Sequence, residues 1–136
     1  MENLNPSKIG MITEYKCIIY LIEHGWNVLV PQGNYTKYDL VIEKNNKFYR
    51  IQCKHASPEG ETGFLVKTRY LIRGSTQKQR YTDKDCDYFM TEFNNKFYVF
   101  PIFGTTETKF WLVPPKKNSN CKIAKDFLAE NILSTL

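Results

Sequence analysis

The chain has 136 residues, the length of one ordinary domain, and its 42% hydrophobic residues exclude an intrinsically disordered chain. Its net charge of +5 is compatible with a polyanion such as nucleic acid, although any protein with a basic pI has a similar excess. The longest apolar run, residues 17–22, is too short to cross a bilayer, and no secretory leader is visible. We therefore expect a soluble, intracellular protein with no membrane partner.

The first predicted element is an amphipathic helix over residues 7–24, with Ser7 as its N-cap and Gly25 as its C-terminal stop. Its apolar face recurs at intervals of three and four residues: Ile9, Ile12, Tyr15, Ile19 and Ile22. A short strand over residues 26–30 and a polar loop over residues 32–37 follow.

Two hairpins with the same turn chemistry are predicted next. Strands over residues 38–44 and 47–54 flank Asn45-Asn46, and strands over 88–93 and 96–101 flank Asn94-Asn95. Asparagine tolerates positive φ, so an Asn-Asn pair can form a two-residue hairpin loop.

The remaining segments complete a mixed α/β pattern. They are predicted as a loop over 57–63, a strand over 64–72, a polar, basic and flexible segment over 74–84, a short strand over 110–113, a linker over 114–120 and a closing helix over 121–133. The order of elements indicates an α/β fold, a mixed β-sheet flanked by helices, in a single domain over residues 1–136. The cysteines, at positions 17, 53, 86 and 121, form no CxxC pair and are expected to be small buried side chains in a reducing compartment.

The first hairpin brings polar residues together at one end. Counting outward from its turn, Leu40 lies opposite Ile51 and Asp39 lies opposite Gln52, while strand periodicity puts Lys54 on the face of Gln52. The other face is apolar and suited to a core, so this register is favoured over one shifted by a residue.

This cluster is suited to metal-assisted hydrolysis of a phosphodiester. Asp39 offers a carboxylate and Gln52 a carbonyl oxygen to Mg²⁺, which prefers oxygen ligands. Lys54 can stabilise the charge that develops on phosphorus and help to orient the attacking water. Glu14 could add a second carboxylate if the first helix packs across the sheet.

Four short motifs together resemble the PD-(D/E)XK nuclease superfamily: Gly10-Met-Ile-Thr-Glu14, Gly25-Trp-Asn-Val28, Tyr38-Asp39 and Gln52-Cys-Lys54. The nearest variety looks like the small homing endonucleases of group I introns, some of which carry a Q-x-K motif. The resemblance covers about residues 8–102 and leaves the strand and helix over 110–133 unassigned. It implies a restriction-endonuclease-like core, with Glu14, Asp39 and Gln52 around a metal ion and Lys54 as the catalytic lysine.

The chain departs from the family's motif at two positions. Tyr38 replaces the proline before Asp39, which is a mild change, and Gln52 replaces the usual acid. The lost charge is expected to weaken metal binding or to shift that task to Glu14. It also leaves room for an inactive relative that only binds DNA.

A basic run is expected to contact DNA phosphates. Its members are Lys67, Arg69, Arg73, Lys78 and Arg80. A solvated charged face would have the same composition. Residues 75–79 could reach base edges.

We therefore predict a Mg²⁺-dependent endonuclease that hydrolyses phosphodiester bonds of double-stranded DNA, with Mn²⁺ as a substitute. Cutting both strands needs two sites, which favours a symmetric homodimer or a higher homo-oligomer. The alternatives are a Holliday junction resolvase-like nuclease, a catalytically inactive DNA-binding module of the same fold, and a protein-interaction domain without activity.

Overall fold

A computed structural model describes residues 3–117 and 120–136. The helices and strands in that part of the chain are α1 Pro6–Glu23, β1 Asn27–Leu29, β2 Leu40–Lys44, β3 Lys47–Cys53, β4 Ala56–Glu59, β5 Gly63–Val66, β6 Arg69–Leu71, β7 Lys78–Arg80, β8 Tyr88–Phe93, β9 Lys96–Phe100, β10 Thr108–Trp111, a 3₁₀ turn Ala124–Phe127 and α2 Ala129–Leu133. Among the described residues, none of the helices could span a membrane.

Helix α1 begins one residue earlier than predicted, and Ser7 is not its N-cap. The cap is Asn5, whose Oδ1 accepts a hydrogen bond from the backbone N–H of Lys8 at 2.9 Å. Pro6 occupies the first turn, where its fixed φ suits a helix and its missing N–H costs nothing. The predicted stop is confirmed, because Gly25 follows the helix with a φ of 86°.

The face that α1 buries differs from the predicted one. Thr13, Cys17 and Leu21 are buried, whereas four members of the predicted stripe are between 41% and 58% exposed. Those four are Ile12, Tyr15, Ile19 and Ile22. The periodicity correctly predicted a helix, but the apolar stripe lies on its outer face. The prediction of the buried face was wrong because α1 carries apolar residues on both sides.

A five-stranded mixed sheet forms the centre of the fold, in the order β1-β2-β3-β8-β9. Strands β3 and β8 are parallel, and the other neighbouring pairs are antiparallel. The predicted register of the first hairpin is confirmed from Lys44–Lys47 to Leu40–Ile51. The fold class is the predicted one.

The two Asn-Asn turns have the same local design. All four asparagines have a positive φ, between 51° and 67°, as a two-residue hairpin loop requires. In each hairpin the acid before the turn accepts a hydrogen bond from the second asparagine: Glu43 from Asn46 N at 3.1 Å and Glu92 from Asn95 N at 2.8 Å. Glu43 and Glu92 are therefore structural residues of these turns.

Each face of the five-stranded sheet supports its own apolar core. One core joins α1 and α2 to the sheet through Leu21, Leu40, Ile51 and Leu133 among others. The other lies between the sheet and a three-stranded sheet of order β10-β5-β4, and it is rich in stacked phenylalanines such as Phe64.

The segment after β3 is more ordered than the sequence predicts. The expected loop over 57–63 contains most of β4, which pairs with β5 from Ala56–Val66 to Glu59–Gly63. The expected single strand over 64–72 is divided between β5 and β6, which belong to different sheets. The expected flexible segment over 74–84 contains β7, which pairs with β6 in a two-stranded ribbon.

The C-terminal region also departs from prediction. The strand expected over 110–113 lies at Thr108–Trp111, and the closing helix expected over 121–133 is replaced by the 3₁₀ turn and the five-residue α2. Part of the predicted linker over 114–120 lies outside the described residues. Cys121 is only half-buried, whereas the other three cysteines are buried as expected.

Candidate active site

Asp39 lies immediately before β2 and is tied to β3 by two hydrogen bonds. Its backbone N–H donates to Ile51 O at 2.9 Å, and its Oδ2 accepts from Cys53 N at 2.9 Å. The carboxylate thus takes the place of a backbone acceptor where the β2–β3 ladder ends. Burial raises the pKa of Asp39, while the hydrogen bond from Cys53 and the charge of Lys54 act in the opposite direction.

Glu14 faces the same place from α1. Cys17 lies one turn further along the helix and contacts Cys53, which fixes α1 over the end of β3. Glu14 borders the buried stripe, so its side chain is directed to Asp39 rather than to open solvent. The pKa of Glu14 is raised by burial and by the negative charge of Asp39. The facing that the sequence left ambiguous is therefore towards the sheet end.

Lys54 follows β3 and is held from the opposite side. Its backbone N–H donates to Met90 O at 3.0 Å, and its Nζ donates to Arg69 O at 3.0 Å and lies 5.0 Å from the centre of the Tyr81 ring. Burial lowers the pKa of Lys54, and the charge of Asp39 partly offsets this effect. Lys54 and Asp39 form no ion pair within 4.0 Å in the described structure, so their charges act on each other across a gap.

Gln52 is half-buried in β3, between Ile51 and the Cys53 that binds Asp39. It pairs with Phe89 across the parallel β3–β8 ladder. The β2–β3 ladder stops at Leu40–Ile51, so the expected pair of Asp39 and Gln52 is not a ladder pair. The hydrogen bond that Cys53 N donates to Asp39 Oδ2 instead holds Asp39 at the end of β3, one residue beyond Gln52.

These side chains suit a hard cation. No group of three or more His, Cys, Asp or Glu that could hold a metal ion occurs in residues 3–117 and 120–136. The oxygen donors that line the same cleft are the carboxylates of Glu14 and Asp39, which are ligands of the kind that Mg²⁺ and Mn²⁺ prefer. Gln52 follows them only through its position in β3, one residue before Cys53. The mutual repulsion of Glu14 and Asp39, both partly buried, is a charge arrangement that a cation would relieve.

Two clefts of opposite charge flank this cluster. The acidic one, about 250 Å³, is lined by Glu14, Asp39 and the loop between β1 and β2. The basic one, about 600 Å³, is lined on one side by Lys54 and His55 and on the other by the β6–β7 ribbon. The end of β3 therefore separates a space suited to a cation from a space suited to an anion.

Three of the five predicted DNA-contacting residues meet in the basic cleft. Lys67, Arg69 and Lys78 line it, while Arg73 and Arg80 lie elsewhere on the same ribbon and are exposed. Arg69 is also in an ion pair with Glu107 at 2.8 Å, which neutralises part of its charge.

Sequence reasoning missed several groups that build the site. The Arg69 carbonyl that holds Lys54 is a backbone atom, and no side-chain pattern signals it. The Tyr81 ring and the Cys17–Cys53 contact join segments that are distant in sequence, so local periodicity could not find them.

Comparison with known proteins gives the family. The family model described as PD-(D/E)XK endonuclease matches residues 4–130. The solved structure of the bacterial homing endonuclease I-Ssp6803I is similar in fold, with a TM-score of 0.76 and 24% sequence identity over 96% of this chain and 93% of that one. No curated protein gives a significant match. Because the family model spans almost the whole chain, this protein belongs to the PD-(D/E)XK endonuclease family and is a nuclease.

Proposed function

We propose that this nuclease is a metal-dependent endonuclease of double-stranded DNA whose active site consists of Glu14, Asp39, Gln52 and Lys54. Nucleases of this family typically use divalent metal ions. The observation that carries the proposal is the convergence of two partly buried carboxylates and one ammonium group on the end of β3. We assign Mg²⁺ as the ion, with Mn²⁺ as a substitute, and treat residues 1–136 as one catalytic domain.

The acidic side of the site would hold the cation. Glu14 and Asp39 supply the carboxylates and Gln52 the neutral oxygen, so the site has one charge fewer than a site with three acids. When bound, the ion would polarise the phosphate and lower the pKa of a bound water. The Cys53 N–H holds one oxygen of Asp39 in place and leaves the other free to bind the ion.

Lys54 would act on the phosphate from the basic side. An ammonium group has three donors, and Arg69 O occupies one of them. The other two remain for a phosphate oxygen and for the attacking water. Since the Nζ is fixed between a carbonyl and the Tyr81 ring, it would need little reorganisation as charge develops on the phosphoryl group.

The basic cleft would position the DNA backbone. Lys67, Arg69 and Lys78 line it, and Arg73 and Arg80 extend the same positive surface along the ribbon. Such contacts carry no sequence information but determine where the duplex lies relative to Lys54.

The outer face of α1 offers a surface for a second copy of the chain. Ile12, Tyr15, Ile19 and Ile22 are exposed and alternate at three, four and three residues, the spacing of a helix–helix seam. A symmetric pairing through this face would supply the two sites that a double-strand cut needs.

A plasmid-nicking assay tests the proposed activity. With Mg²⁺, the unaltered chain should convert supercoiled plasmid to nicked and linear forms, and EDTA should stop the reaction. Asp39→Asn and Lys54→Met should each slow cutting by at least about 100-fold, the scale of losing a catalytic group. Glu59→Gln, at an exposed site away from the cluster, should cut like the parent.

Each failure of that assay has a definite meaning. If both variants cut as well as the parent, the assigned residues are not the active site. If the parent binds DNA in a salt-dependent way but never cuts, the protein is an inactive DNA-binding module. Cutting of four-way junctions but not of linear duplex would assign a resolvase-like activity instead.

Sedimentation velocity tests the proposed seam. The parent should sediment as a dimer or larger species, and Ile19→Lys should release monomers, because a buried lysine in an apolar seam is costly. Leu112→Lys, which changes another exposed apolar residue, should not. In the plasmid assay, Ile19→Lys should yield nicked circles with little linear product. A monomeric parent would refute the seam without affecting the catalytic assignment.

A further inference from the structure

The β6–β7 ribbon projects from the body of the protein. All ten residues from 71 to 80 are exposed, and they include most of the ribbon and its whole connecting loop. The ladder continues beyond the named strands, since Ile72 N donates to Gln77 O at 3.0 Å, and Ser75 N donates to Ile72 O at 2.9 Å within the loop. The ribbon is thus an ordered hairpin with a free tip.

The stretch of chain that contains the ribbon has a positive charge equal to the net charge of the whole chain. Residues 62–82 contain five Lys or Arg and no Asp or Glu, and the full chain has a net charge of +5. The other 14 basic residues are therefore balanced by the 14 acidic ones. Four of the five, Arg69, Arg73, Lys78 and Arg80, lie in the ribbon. This concentration of positive charge on one projecting element indicates a polyanionic partner there.

The two faces of the ribbon differ in chemistry. Cross-strand pairing puts Arg69 with Arg80 and Leu71 with Lys78 on one face, which borders the basic cleft. The other face carries the pair Tyr70–Gln79 and, one step nearer the tip, Ile72 with Gln77. One face is therefore suited to phosphates and the other, beyond Tyr70, offers two amides and an apolar side chain.

The amide face is free to read base edges. Neither Gln77 nor Gln79 has a side-chain hydrogen bond to another residue in the described parts of the chain, and Ile72 is 40% exposed beside them. A glutamine amide can form two hydrogen bonds to adenine in the major groove, and an apolar side chain there can contact the methyl group of thymine.

The dimensions also fit. The major groove is about 12 Å wide and about 8.5 Å deep and admits a two-stranded ribbon. From the Arg69–Arg80 pair to the loop the ribbon extends about five residues, or roughly 17 Å at the rise of a strand, which exceeds the depth of the groove.

The root of the ribbon is fixed to the catalytic lysine. The Arg69 carbonyl accepts the hydrogen bond from Lys54, and Tyr70 packs edge-to-face on Tyr81 with ring centres 5.1 Å apart. Lys37 lies 4.0 Å from the centre of the Tyr70 ring on the loop that lines the acidic cleft. A duplex that seats the tip would therefore be held in a defined position relative to the site.

We propose that the β6–β7 ribbon enters the major groove of the DNA substrate and reads base edges through Gln77 and Gln79. This inference rests on the proposed action on double-stranded DNA, but it does not depend on cutting. It separates the residues that read sequence from the cationic residues on the other face, which contact phosphates.

Binding selection from a randomised duplex library, with Ca²⁺ in place of Mg²⁺ to avoid cleavage, tests the ribbon. The parent should enrich a preferred sequence. Gln77→Ala and Gln79→Ala should each flatten the preference at one or two base pairs, by about 10- to 100-fold in discrimination. Lys78→Ala should instead weaken binding to all sequences and reduce the salt slope by about one. Asn131→Ala, an exposed amide on α2, is the matched control and should keep the parent's preference.

The ribbon inference would be overturned if the parent showed no sequence preference, or if the glutamine variants kept the parent's preference. The ribbon would then contact phosphates only. Methylation of guanine N7, which lies in the major groove, should interfere with binding of the parent, and its absence would also count against the proposal. Selective binding without cutting would refute the proposed activity and leave the ribbon standing. Failure to bind any duplex at low salt would overturn both.

Discussion

Replacing the Asp39 carboxylate by an amide should stabilise the fold while it abolishes activity. The carboxylate is buried enough for its pKa to be raised, and no cation of the described chain lies within 4.0 Å of it. Asp39→Asn removes this charge and its repulsion with Glu14 but keeps an oxygen that can accept the hydrogen bond from Cys53. Asp39→Ala removes the acceptor as well.

The magnitudes follow from these contacts. Removing an active-site charge of this kind commonly stabilises a protein by about 1 kcal/mol, which for a chain of this length is about 4 °C in Tm. Leaving the Cys53 N–H without an acceptor costs about 1–3 kcal/mol. At pH 8 the expected order of stability is therefore Asp39→Asn, then the parent, then Asp39→Ala at or below it.

The pH dependence gives the sign of the effect. Since the pKa of Asp39 is raised above its ordinary value of 3.8, the folded state binds more protons than the unfolded state between those two values. The stability of the parent thus falls as pH rises through that window, and the gap to Asp39→Asn opens with it. Below the ordinary value the parent and Asp39→Asn should be equal. The difference in stability between Asp39→Asn and Asp39→Ala should not change with pH, because both variants are neutral at this position.

Urea unfolding followed by the fluorescence of Trp26, which is 5% exposed, measures all three proteins at pH 8 and near pH 3.5. A less stable Asp39→Asn at pH 8 would refute the electrostatic reasoning. So would an advantage that is the same at both pH values.

Three other predictions concern the site and the packing around it. Gln52→Glu should fold like the parent and bind Mn²⁺ equally well or up to about tenfold more tightly, as followed by electron paramagnetic resonance, because it restores a charged ligand; weaker binding would remove Gln52 from the metal site. Thr91→Val should stabilise the protein by about 1 kcal/mol in urea unfolding, since the fully buried Thr91 Oγ1 has no hydrogen-bond partner in the described structure. Gly63→Ala should destabilise the fold by about 2 kcal/mol or more, because the added Cβ would collide with the backbone of Phe110. The control Gly10→Ala, in open space on α1, should stabilise the fold by about 0.5–1 kcal/mol. Equal shifts in the melting temperatures of the two variants would contradict the packing between β5 and β10.

The parts of the site that the sequence predicted are those set by local rules. The Asn45-Asn46 turn fixes the pairing of β2 with β3 over the twelve residues from Leu40 to Ile51, so the proximity of Asp39 to the end of β3 follows from local chain geometry alone. Strand periodicity then predicts that Lys54, two positions after Gln52, lies on the same face of the strand. No distant contact is needed for either step.

The structural predictions that were wrong concern features that depend on packing between distant segments. The outer face of α1 is more apolar than its inner face, where Thr13 and Cys17 allow the helix to lie close to the sheet. A rule that assigns the most apolar stripe to the core therefore selects the wrong side. Similarly, β6 was predicted as the continuation of one strand and β7 as part of a flexible segment. The sequence of β7 shows no sign of a strand, because all three of its residues are exposed and carry no buried, alternating apolar pattern.

The features of the site that destabilise the free protein are the same ones that would bind the ion. Glu14 and Asp39 repel each other at the end of β3. A divalent cation bound between them would be attracted to both carboxylates and would offset this repulsion. Saturating Mg²⁺, at about 100 times its dissociation constant, should stabilise the parent by about 2.7 kcal/mol. Asp39→Asn should gain much less, so the ion should reverse the order of the two proteins at pH 8. If Mg²⁺ raised the stability of both by the same amount, the ion would bind away from Asp39, and the arrangement of the acidic side proposed for this nuclease would be wrong.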